Sequence, residues 1–509
     1  LANLNIIKQA LRVIRKLYNE DIDLDKLGVE DDFVYEQLRK GNTIGVFQLE
    51  SEGMTKVIKE MKVSCFEDLS AAIALYRPGP MQFIPTYIDN KLNDREIHYL
   101  DSRFEKILGV TYGIMVYQEQ LMQIAHMFGG FSMGQADILR KAVGKKKIKL
   151  LESLKPKLIE GLVKNGMTKA KAEEFWDWVQ PFAKYGFNKA HSISYARIAY
   201  QTAWLKTYYP AIYMSALLTN NCDSQDKIYV DIKDCEKMNI KVLPPSVNYS
   251  YPEFSVHGED EIYFGLTAIK NIGENVAIAI AEERNKNGKY TSLSDFLNRS
   301  DEIVLNKKSL ENLIKSGALD CLGNRATMAN NLETILQYVQ NQKKQKESKQ
   351  GGLFAQNDDY SELKDMTVKD ESIKKNVLLG WEFDLLGIYL TGHPLDEYQH
   401  IVGKKAYTIQ QVTNVSSINQ YMQKKLRICG MFNKTRKVMT KTGKQMAFSN
   451  LNDGAFGVDV VIFPKTYEML RQKANVHDIV DNKITLVEGR IDVRNNKPQI
   501  ICEDVIYLN

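Results

Sequence analysis

The segment Y-G-F-N-K-A-H-S-I-S-Y-A, residues 185–196, carries short polar side chains beside aromatic rings. A lysine and a histidine next to aromatic faces can contact a sugar and stack on a base. The residues that offer such contacts are Asn188, Lys189, His191, Ser192 and Ser194. An ordinary amphipathic helix would show the same pattern without binding anything. The segment alone therefore does not establish a nucleotide-binding helix.

Earlier in the chain, residues 138–149 read I-L-R-K-A-V-G-K-K-K-I-K, with six basic side chains and no acid. On neighbouring turns of a helix, such charges can converge on a polyphosphate. The residues predicted to do so are Arg140, Lys141 and Lys145, and Lys146 and Lys147 are candidate contacts to a DNA backbone. A solvated basic helix is the alternative for such a run. Together, the two segments predict a site for a nucleoside triphosphate and a nucleic-acid strand.

Four further motifs connect the chain with a known family. They are V-F-Q-L-E-S-E-G-M at 46–54, A-L-Y-R-P-G-P at 74–80, Y-G-I-M-V-Y-Q-E-Q-L-M-Q-I-A at 112–125 and L-T-G-H-P-L at 390–395. In this order, and with the two segments above, they resemble the bacterial DNA polymerase III α subunit of the DnaE type. The resemblance extends over nearly all 509 residues. A barrel-like part at the end and no visible exonuclease insertion favour this type over the PolC type.

The resemblance implies nucleotidyl transfer, in which a primer 3′ hydroxyl attacks an incoming deoxynucleoside triphosphate (dNTP) with the help of two Mg²⁺ ions. In the family, aspartates of a P-D-x-D-x-D-F segment and a K-x-D-F-L-G segment hold the metal ions. Residues 1–4, L-A-N-L, resemble the residues that come directly after the second of these segments. We therefore expect the metal ligands outside this chain, no catalytic residue within it, and no activity of the chain alone. The expected nucleotide-binding residues are Arg140, Lys141, Lys145, Lys189 and His191.

The acidic run E-D-I-D-L-D, residues 20–25, offers another candidate for a metal site. Alternating carboxylates on one side of a strand can hold Mg²⁺. The proline and phenylalanine that flank the family's metal motif are missing here. The run is therefore predicted to be an acidic loop between two helices.

The composition is that of an ordinary globular protein, with 44% apolar and 26% charged residues and a formal net charge of +5. Six cysteines without a C-x-x-C pair argue against a zinc site or a disulfide framework. The sequence has no signal peptide and no apolar stretch of about eighteen residues. These features predict a cytoplasmic protein, and the family resemblance implies a location at the bacterial nucleoid and replisome.

The predicted fold is a multidomain α+β protein with mostly helical fingers, a helix-hairpin-helix region and a C-terminal β-barrel of OB type. The predicted parts are the end of the palm (1–50), the fingers (51–224), a helix-hairpin-helix domain for DNA and clamp binding (225–340), a flexible linker (341–358), a helical connection (359–404) and the OB domain (405–509).

Within the fingers, R-P-G-P at 77–80 predicts a rigid turn that holds Arg77 towards a DNA phosphate. A plain helix terminator is the alternative for this turn.

Residues 264–277, F-G-L-T-A-I-K-N-I-G-E-N-V-A, predict a helix, a tight hairpin and a second helix. Gly273 and Asn275 would bring the start of the second helix close to a DNA phosphate. Residues 313–320 are a weaker second candidate for such a hairpin. Helical hairpins that do not touch DNA are the alternative in both places.

Residues 350–354, Q-G-G-L-F, resemble the Q-x-x-L-F motif that binds the sliding clamp. They come after the polar run 341–349, which contains too little apolar surface to fold by itself. Two adjacent apolar side chains in such a linker can fill a pocket of a partner. The predicted clamp-binding residues are Gln350, Leu353 and Phe354.

From about residue 405, alternating apolar residues predict strands beginning at Leu426, at 458–463, at 484–493 and at 499–506, with turns at 441–444, 452–454 and 494–497. The turns at 441–444 and 452–454 imply a further strand between them, and the resulting five strands fit an OB barrel. Basic residues of its first hairpin could follow a single strand of DNA: Lys434, Arg436, Lys437, Lys441 and Lys444. Charged edge strands that only prevent aggregation are the alternative.

Two functions therefore compete. The first is the C-terminal part of a replicative DNA polymerase, with primer-template DNA, the sliding clamp and other replisome proteins as partners. The second is a non-enzymatic, clamp-tethered DNA-binding scaffold. Binding to the clamp loader stays open in both cases.

Overall fold

The computed structural model describes residues 2–93, 97–144, 147–348, 373–398, 406–413, 418–422, 424–454, 456–473, 476–494 and 497–508. The chain divides into two compact units. The helical unit comprises Leu1–Asn221, Asp234–Ile240 and Gly258–Asp260, and the barrel unit comprises Cys222–Lys233, Lys241–His257 and Glu261–Asn509. The six-part division expected from the sequence stays a prediction.

Helices succeed one another before the first strand. They are α1 (Ala2–Tyr18), α2 (Asp32–Lys40), α3 (Glu52–Glu60), α4 (Phe66–Leu75), α5 (Ile84–Leu92), α6 (Glu105–Leu108), α7 (Gln118–Met127), α8 (Met133–Gly144), α9 (Ile148–Lys164), α10 (Lys169–Tyr185), α11 (Lys189–Tyr208), α12 (Pro210–Asn220) and α13 (Gln225–Lys237). Their ends show ordinary capping chemistry. The carboxylate of Asp31, for example, accepts from the first amides of α2, and Gly41 ends that helix with a φ of 90°.

Two hydrophobic clusters hold the helical unit together. The first cluster joins α2–α5 to α11 through buried residues such as Val34, Leu38, Leu69, Tyr87 and Tyr200. The second cluster joins α7–α10 through buried residues such as Phe104, Leu121, Leu139, Trp176 and Phe182. Burying one such side chain contributes about 1.5–3 kcal/mol. The cationic helix α8 thus packs in the second cluster, and helix α11, which comes after Gly186, packs in the first.

The barrel unit begins with a small three-stranded sheet. Its strands are β1 (Lys241–Leu243), β2 (Ser255–His257) and β3 (Glu261–Tyr263), in the order β1-β3-β2, with β1 parallel and β2 antiparallel to β3. The helices outside the barrel strands are α14 (Glu274–Asn287), α15 (Leu293–Arg299), α16 (Lys307–Lys315), α17 (Arg325–Asn330), α18 (Leu332–Ser348), α19 (Lys375–Leu386), α20 (Ile409–Thr413), α21 (Ile418–Tyr421) and α22 (Pro464–Gln472). No helix in the described part of the chain has the length and apolar character needed to cross a membrane.

Two local expectations differ from the structure. The first helix expected in 264–277 is only a 3-10 turn, Leu266–Ala268. Gly265 packs against the backbone of 252–254, where a Cβ would lie 2.8 Å from the amide nitrogen of Phe254, so the chain is fixed to a neighbouring loop there. The polar run from 341 is helical as far as Ser348, because glutamine, lysine and glutamate have high helix propensity.

The C-terminal strands form a closed five-stranded barrel, as the sequence predicted. They are β4 (Lys425–Met439), β5 (Gln445–Asn452), β6 (Gly457–Ile462), β7 (Ile484–Arg494) and β8 (Lys497–Tyr507), in the order β4-β5-β6-β8-β7. The parallel pair β6–β8 and the antiparallel pair β4–β7 close the barrel, which is consistent with an OB-type fold. The predicted hairpin tip lies between β4 and β5, where Gly443 has a φ of 74°. Helix α22, between β6 and β7, was not predicted.

Candidate nucleotide and nucleic-acid site

The cationic face of α8 contains an acid that the sequence argument missed. The Asp137 carboxylate accepts from Arg140 through Oδ1, with Nε and Nη2 at 2.9 and 2.7 Å. Its other oxygen, Oδ2, lies 2.7 Å from Nζ of Lys141. The two cations lower the pKa of Asp137, Lys141 more strongly than Arg140. Asp137 lies one residue before the basic run and therefore outside the segment from which the site was predicted.

The remaining basic residues of this run are only partly described. Lys147 is exposed and lies directly before α9. Lys145 and Lys146 lie outside the described residues. The expected triphosphate site is thus represented in the structure by Arg140 and Lys141.

The second predicted segment forms the start of α11. Asn188 caps the helix, because its Oδ1 accepts from the backbone amide of His191 at 2.9 Å. The backbone amide of Lys189 donates to Oε2 of Glu119 at 2.9 Å, and its ammonium group lies 5.8 Å from the ring centre of Tyr117. His191 is exposed. Lys189 and His191 are therefore held at the surface by a capped helix end.

A row of four rings runs along this side of α11. The ring centres of Phe187 and His191 are 5.6 Å apart, those of His191 and Tyr195 4.2 Å, and those of Tyr195 and Phe47 5.2 Å. The other three rings are half-buried beside the exposed His191. His191 and Tyr195 are four residues apart and share one face of α11, and Phe187 lies directly before the capping residue Asn188. The structure thus brings His191 together with three aromatic rings, of which Phe47 was not predicted, and base stacking on this ring row stays a prediction.

Arg77 caps one end of the ring row. Its guanidinium carbon lies 4.1 Å from the ring centre of Phe187. Its Nε donates to the carbonyl of Ala74 at 3.2 Å and its Nη2 to that of Tyr185 at 3.3 Å. Burial lowers the pKa of the guanidinium, which stays charged at neutral pH. Gly79, with a φ of 104°, makes the turn after it. In this structure, Arg77 supports the ring row from the side.

Ser192 does not reach the surface. Its side chain is fully buried, and its hydroxyl donates to the carbonyl of Ser70 at 2.6 Å. The hydroxyl of Ser70 lies 3.0 Å from that of Ser192 and 2.9 Å from that of Tyr117. Ser192 therefore joins α11 to α4 and does not contact a ligand.

The start of α7 fastens the start of α11. The amide of Gln118 donates to the carbonyl of Phe187 at 2.8 Å, and the amide of Phe187 donates to that of Val116 at 3.1 Å. The side chain of Gln118 donates to the carbonyl of Gly186 at 2.9 Å. In the described residues, no hydrogen bond or ring contact joins Arg140 or Lys141 to Lys189 or His191. The cation pair on α8 and the start of α11 are thus connected through the packing of α7 and not by direct contact with each other.

The acidic run 20–25 does not form a metal site. It is the loop between α1 and α2, where Asp23 pairs with Lys26 at 3.2 Å and Glu20 accepts from the hydroxyl of Tyr209. Among the residues that the structure describes, no group of three or more His, Cys, Asp or Glu side chains could hold a metal ion. These residues do not fit a two-metal centre.

The first hairpin candidate presents an open helix end. Gly273 caps α14 without a side-chain hydrogen bond, and a Cβ placed on it would meet nothing within 4 Å. Gly273 and Asn275 are exposed. The acidic side chain of Glu274 lies in the first turn and weakens the attraction for an anion.

The second hairpin candidate is closed. Gly317 has a φ of 85° and is buried, and a Cβ there would lie 2.1 Å from Nη2 of Arg325. That guanidinium pairs with Asp320 and with the fully buried Glu382. The glycine therefore makes room for a buried ion pair and not for DNA.

The basic residues of β4 have different surroundings. Lys434 lies at a bulge with a φ of 56° and pairs with Asp226 at 2.8 Å. Lys437 pairs with Asp478, while Arg436 is exposed. Lys441 and Lys444 are exposed at the hairpin tip.

Beside this strand lies a cleft of about 1430 Å³ in the barrel unit. Its lining includes Tyr229, Tyr389, His393, Arg436, Phe448 and Arg494. His393 belongs to the L-T-G-H-P-L motif, and its Nδ1 accepts from the amide of Leu395 at 3.2 Å. Its Nε2 is buried, has no hydrogen-bond partner among the described residues and faces Gly454, where a Cβ would lie 2.7 Å away. Burial lowers the pKa of His393.

Comparisons with known proteins agree with these features. The bacterial DNA polymerase III alpha subunit finger domain matches residues 3–166, and a helix-hairpin-helix motif matches residues 239–328. The DNA polymerase III subunit alpha of Borreliella burgdorferi is 38% identical over 517 residues, covering 100% of this chain and 44% of that protein. Its counterpart in Treponema pallidum is 38% identical over 514 residues, covering 100% and 43%. That of Thermus aquaticus is 38% identical over 479 residues, covering 93% and 39%. The chain thus spans less than half the length of these relatives.

Proposed function

We propose, on the premise that the chain is homologous over its whole length to part of the bacterial DNA polymerase III alpha subunits, that it belongs to a replicative DNA-directed DNA polymerase. In that enzyme it positions the incoming dNTP, holds primer-template DNA and attaches to the sliding clamp. One observation carries the proposal: the polymerase finger domain matches the residues that include the cation pair of α8.

Arg140 and Lys141 bind the triphosphate in this proposal, together with Lys145. Their side chains meet at one carboxylate, so the two charges already lie side by side. A phosphate oxygen near them would gain charge-assisted hydrogen bonds worth about 1.5–3 kcal/mol each. Lys146 and Lys147 are the proposed contacts to the DNA backbone.

The ring row receives the base of the nascent pair. Stacking on an aromatic side chain contributes about 1–3 kcal/mol per base without sequence preference. In this proposal, Lys189 and His191, at the start of α11, contact the sugar and the edge of the pair. Arg77 contributes by supporting the ring of Phe187. Alternatively, its guanidinium group releases its two carbonyl partners and binds a DNA phosphate instead.

Other parts of the chain hold the DNA. The open helix end at Gly273 and Asn275 fits a phosphate of the duplex. Lys434, Arg436 and Lys437 on the barrel fit the backbone of a single strand, with Phe448 available for stacking. These contacts carry no sequence preference, as a replicative enzyme requires.

The chemistry requires groups beyond the described residues. Two Mg²⁺ ions would activate the primer hydroxyl and stabilise the leaving group. Since the described residues do not fit such a centre, we assign its ligands to other parts of the polymerase. The role of this chain is to bind and orient the dNTP and the DNA.

Gln350, Leu353 and Phe354 lie outside the described residues, and their role as the clamp tether stays a prediction from the motif. Replacing Leu353 and Phe354 by alanine should abolish clamp binding in a titration, whereas Gln356→Ala in the same segment should not. Unchanged clamp affinity of the double variant would exclude the motif as the main tether. This role would place the protein in the cytoplasm, at the nucleoid and with other replisome proteins.

The alternative function is a clamp-tethered DNA-binding scaffold without chemistry. The helix-hairpin-helix match and the barrel fit both functions. The finger-domain match favours the polymerase, because a scaffold has no need of a triphosphate site.

Primer extension by the complete subunit tests the proposal. The variant Arg140→Ala should lower kcat/KM for dNTP by on the order of tenfold, because it loses a charge-assisted contact. Its affinity for primed DNA should change much less. Lys40→Ala is the matched control, since Lys40 is also exposed on a helix and paired with an acid, Glu36.

Two results would contradict the proposal. A complete subunit that binds primed DNA but never extends it would support the scaffold. Equal losses of dNTP use and DNA affinity in Arg140→Ala would show that Arg140 grips DNA and not the triphosphate.

A further inference from the structure

Arg140 and Lys141 do not converge by helix geometry alone. Consecutive residues of an α-helix point about 100° apart around its axis. Two long, flexible side chains that leave the helix in such different directions have no reason to meet at one phosphate. Some other group must bring their charges together.

Asp137 has the position to do so. Asp137 lies three residues before Arg140 and four before Lys141. Around the helix axis, its side chain therefore points between theirs, about 60° from that of Arg140 and about 40° from that of Lys141. Each of its two oxygens takes one of the cations: Oδ1 accepts from Arg140 at 2.7 Å and Oδ2 lies 2.7 Å from Lys141. An acid placed N-terminal to a base at these spacings is also the favoured orientation.

The same sequence pattern elsewhere in the chain gives a different result. On α2, Glu36 precedes Arg39 and Lys40 with identical spacing. Glu36 pairs with Lys40 at 2.6 Å, but Arg39 donates to the carbonyl of Val63 at 3.0 Å. Spacing alone therefore does not gather both cations, whereas on α8 both are gathered.

We propose that Asp137 is a positioning residue for the nucleotide: it holds Arg140 and Lys141 together so that they present one double-charged face to the triphosphate. This inference rests on the proposed function of α8. Asp137 uses Nε and one proton of Nη2 of Arg140, and one proton of Lys141. The other protons of both groups remain for phosphate oxygens, because a guanidinium has five donors and an ammonium three.

The gain comes from order established before binding. When an incoming nucleotide must immobilise long side chains, each of them costs about 0.5–1.5 kcal/mol of binding free energy. Asp137 takes over this ordering for two side chains. The exposed fractions of the Arg140, Asp137 and Lys141 side chains, 27%, 35% and 57%, leave the pair accessible to a ligand.

Steady-state primer extension with the complete subunit tests the proposal. Asp137→Ala, which keeps a good helix former, should raise KM for dNTP roughly fivefold, with kcat and the affinity for primed DNA unchanged. Asp137→Glu should restore most of the loss, since the longer acid still reaches both cations. Glu36→Ala, the matched control on α2, should leave all three quantities unchanged.

Measurements on Arg140→Ala, with and without Asp137→Ala, separate this inference from the proposed function. In the Arg140→Ala variant, Asp137→Ala should raise KM by a smaller factor, because one of the two cationic partners of Asp137 is gone. An unchanged KM in Arg140→Ala itself would overturn the role of α8. If Arg140→Ala is impaired but Asp137→Ala has a normal KM, the pairs are ordinary surface ion pairs and the inference is wrong. A lower KM in Asp137→Ala would also overturn it, since Asp137 would then compete with the triphosphate.

Discussion

Lys206 and Asp234 form an ion pair in the interior of the helical unit, with Nζ 2.6 Å from Oδ2. Their side chains are only 4% and 7% exposed. The same ammonium group donates to the carbonyl of Ile44 at 2.7 Å. The pair thus ties α11, the loop after α2 and the end of α13 together.

Removing one partner of this pair should be costly. Lys206→Met keeps the apolar stem but leaves the Asp234 carboxylate buried and unpaired, which typically destabilises by about 3–5 kcal/mol. Urea unfolding of the 509-residue chain should show this loss. Lys40→Met, which breaks an exposed pair, should change the stability by less than about 1 kcal/mol. Equal stability of both variants would mean that water reaches Asp234.

Tyr195 should contribute to nucleotide use through its ring. Tyr195→Ala in the complete subunit should lower kcat/KM for dNTP by on the order of tenfold, because it removes the centre of the ring row. Tyr195→Phe should retain most of the activity, since stacking needs the ring and not the hydroxyl. Tyr208→Ala, an exposed tyrosine at the other end of α11, serves as the control. Full activity of Tyr195→Ala would assign the ring row to packing alone.

His393 should make the stability of the chain depend on pH. Burial is the main cause that lowers its pKa from 6.5 in the folded state; Lys233 lowers it further, and Asp396 and Asp453 raise it in part. The unfolded chain therefore binds this proton at higher pH than the folded chain. The contribution of neutral His393 is present above pH 6.5 and is lost as the pH falls from there towards the folded pKa.

Urea unfolding at roughly pH 7.5 and pH 5.5 checks this sign. The wild-type chain should lose more stability on acidification than His393→Gln, which has no titrating ring. His257→Gln, at an exposed histidine, should behave like the wild type. An identical loss in His393→Gln and the wild type would show that His393 does not titrate in this range.

The 509-residue chain alone should bind primed DNA without extending it. Its described residues include the proposed phosphate contacts on α8, α14 and β4 but no group that fits a metal centre. Log affinity should fall with log salt by about 0.9 for each neutralised duplex phosphate. A gel-shift titration at several salt concentrations measures the first property and primer extension with Mg²⁺ the second. Extension by the rigorously purified chain, abolished by Asp21→Asn and Asp23→Asn, would move the active site to the acidic loop.

Local patterns predicted the barrel well. Alternation with period two is visible in a few consecutive residues, so the strands near 458–463, 484–493 and 499–506 and the turn at Gly443 were found from the sequence. Helix α22 was not predicted, because no element was assigned between the strands near 458–463 and 484–493. The same reasoning also read the polar residues up to Ser348 as a linker, although their helix propensity was sufficient for a helix.

Long-range contacts could not be predicted in this way. The hydroxyl of Ser192 meets Ser70, which is 122 positions away, so nothing near Ser192 in the sequence indicates its burial. Phe47 joins the ring row from the loop between α2 and α3, far from α11 in the sequence, and was missed for the same reason. Asp137 was accessible to a local argument, since acids three and four residues before two bases are expected to pair. It was missed because the basic run was examined without the turn before it.

The hydrogen bonds between the starts of α7 and α11 lie where the chain passes from one hydrophobic cluster of the helical unit to the other. Tyr117 belongs to the first cluster and Leu121 to the second, while Tyr185 packs on the second and Phe187 on the first. If the two clusters separate, the two chain segments that pass between them must be disturbed. The amide hydrogens of Gln118 and Phe187, both bonded at this place, should therefore exchange with solvent at a rate that reports this local opening. Bound dNTP, which would contact both clusters, should slow that exchange.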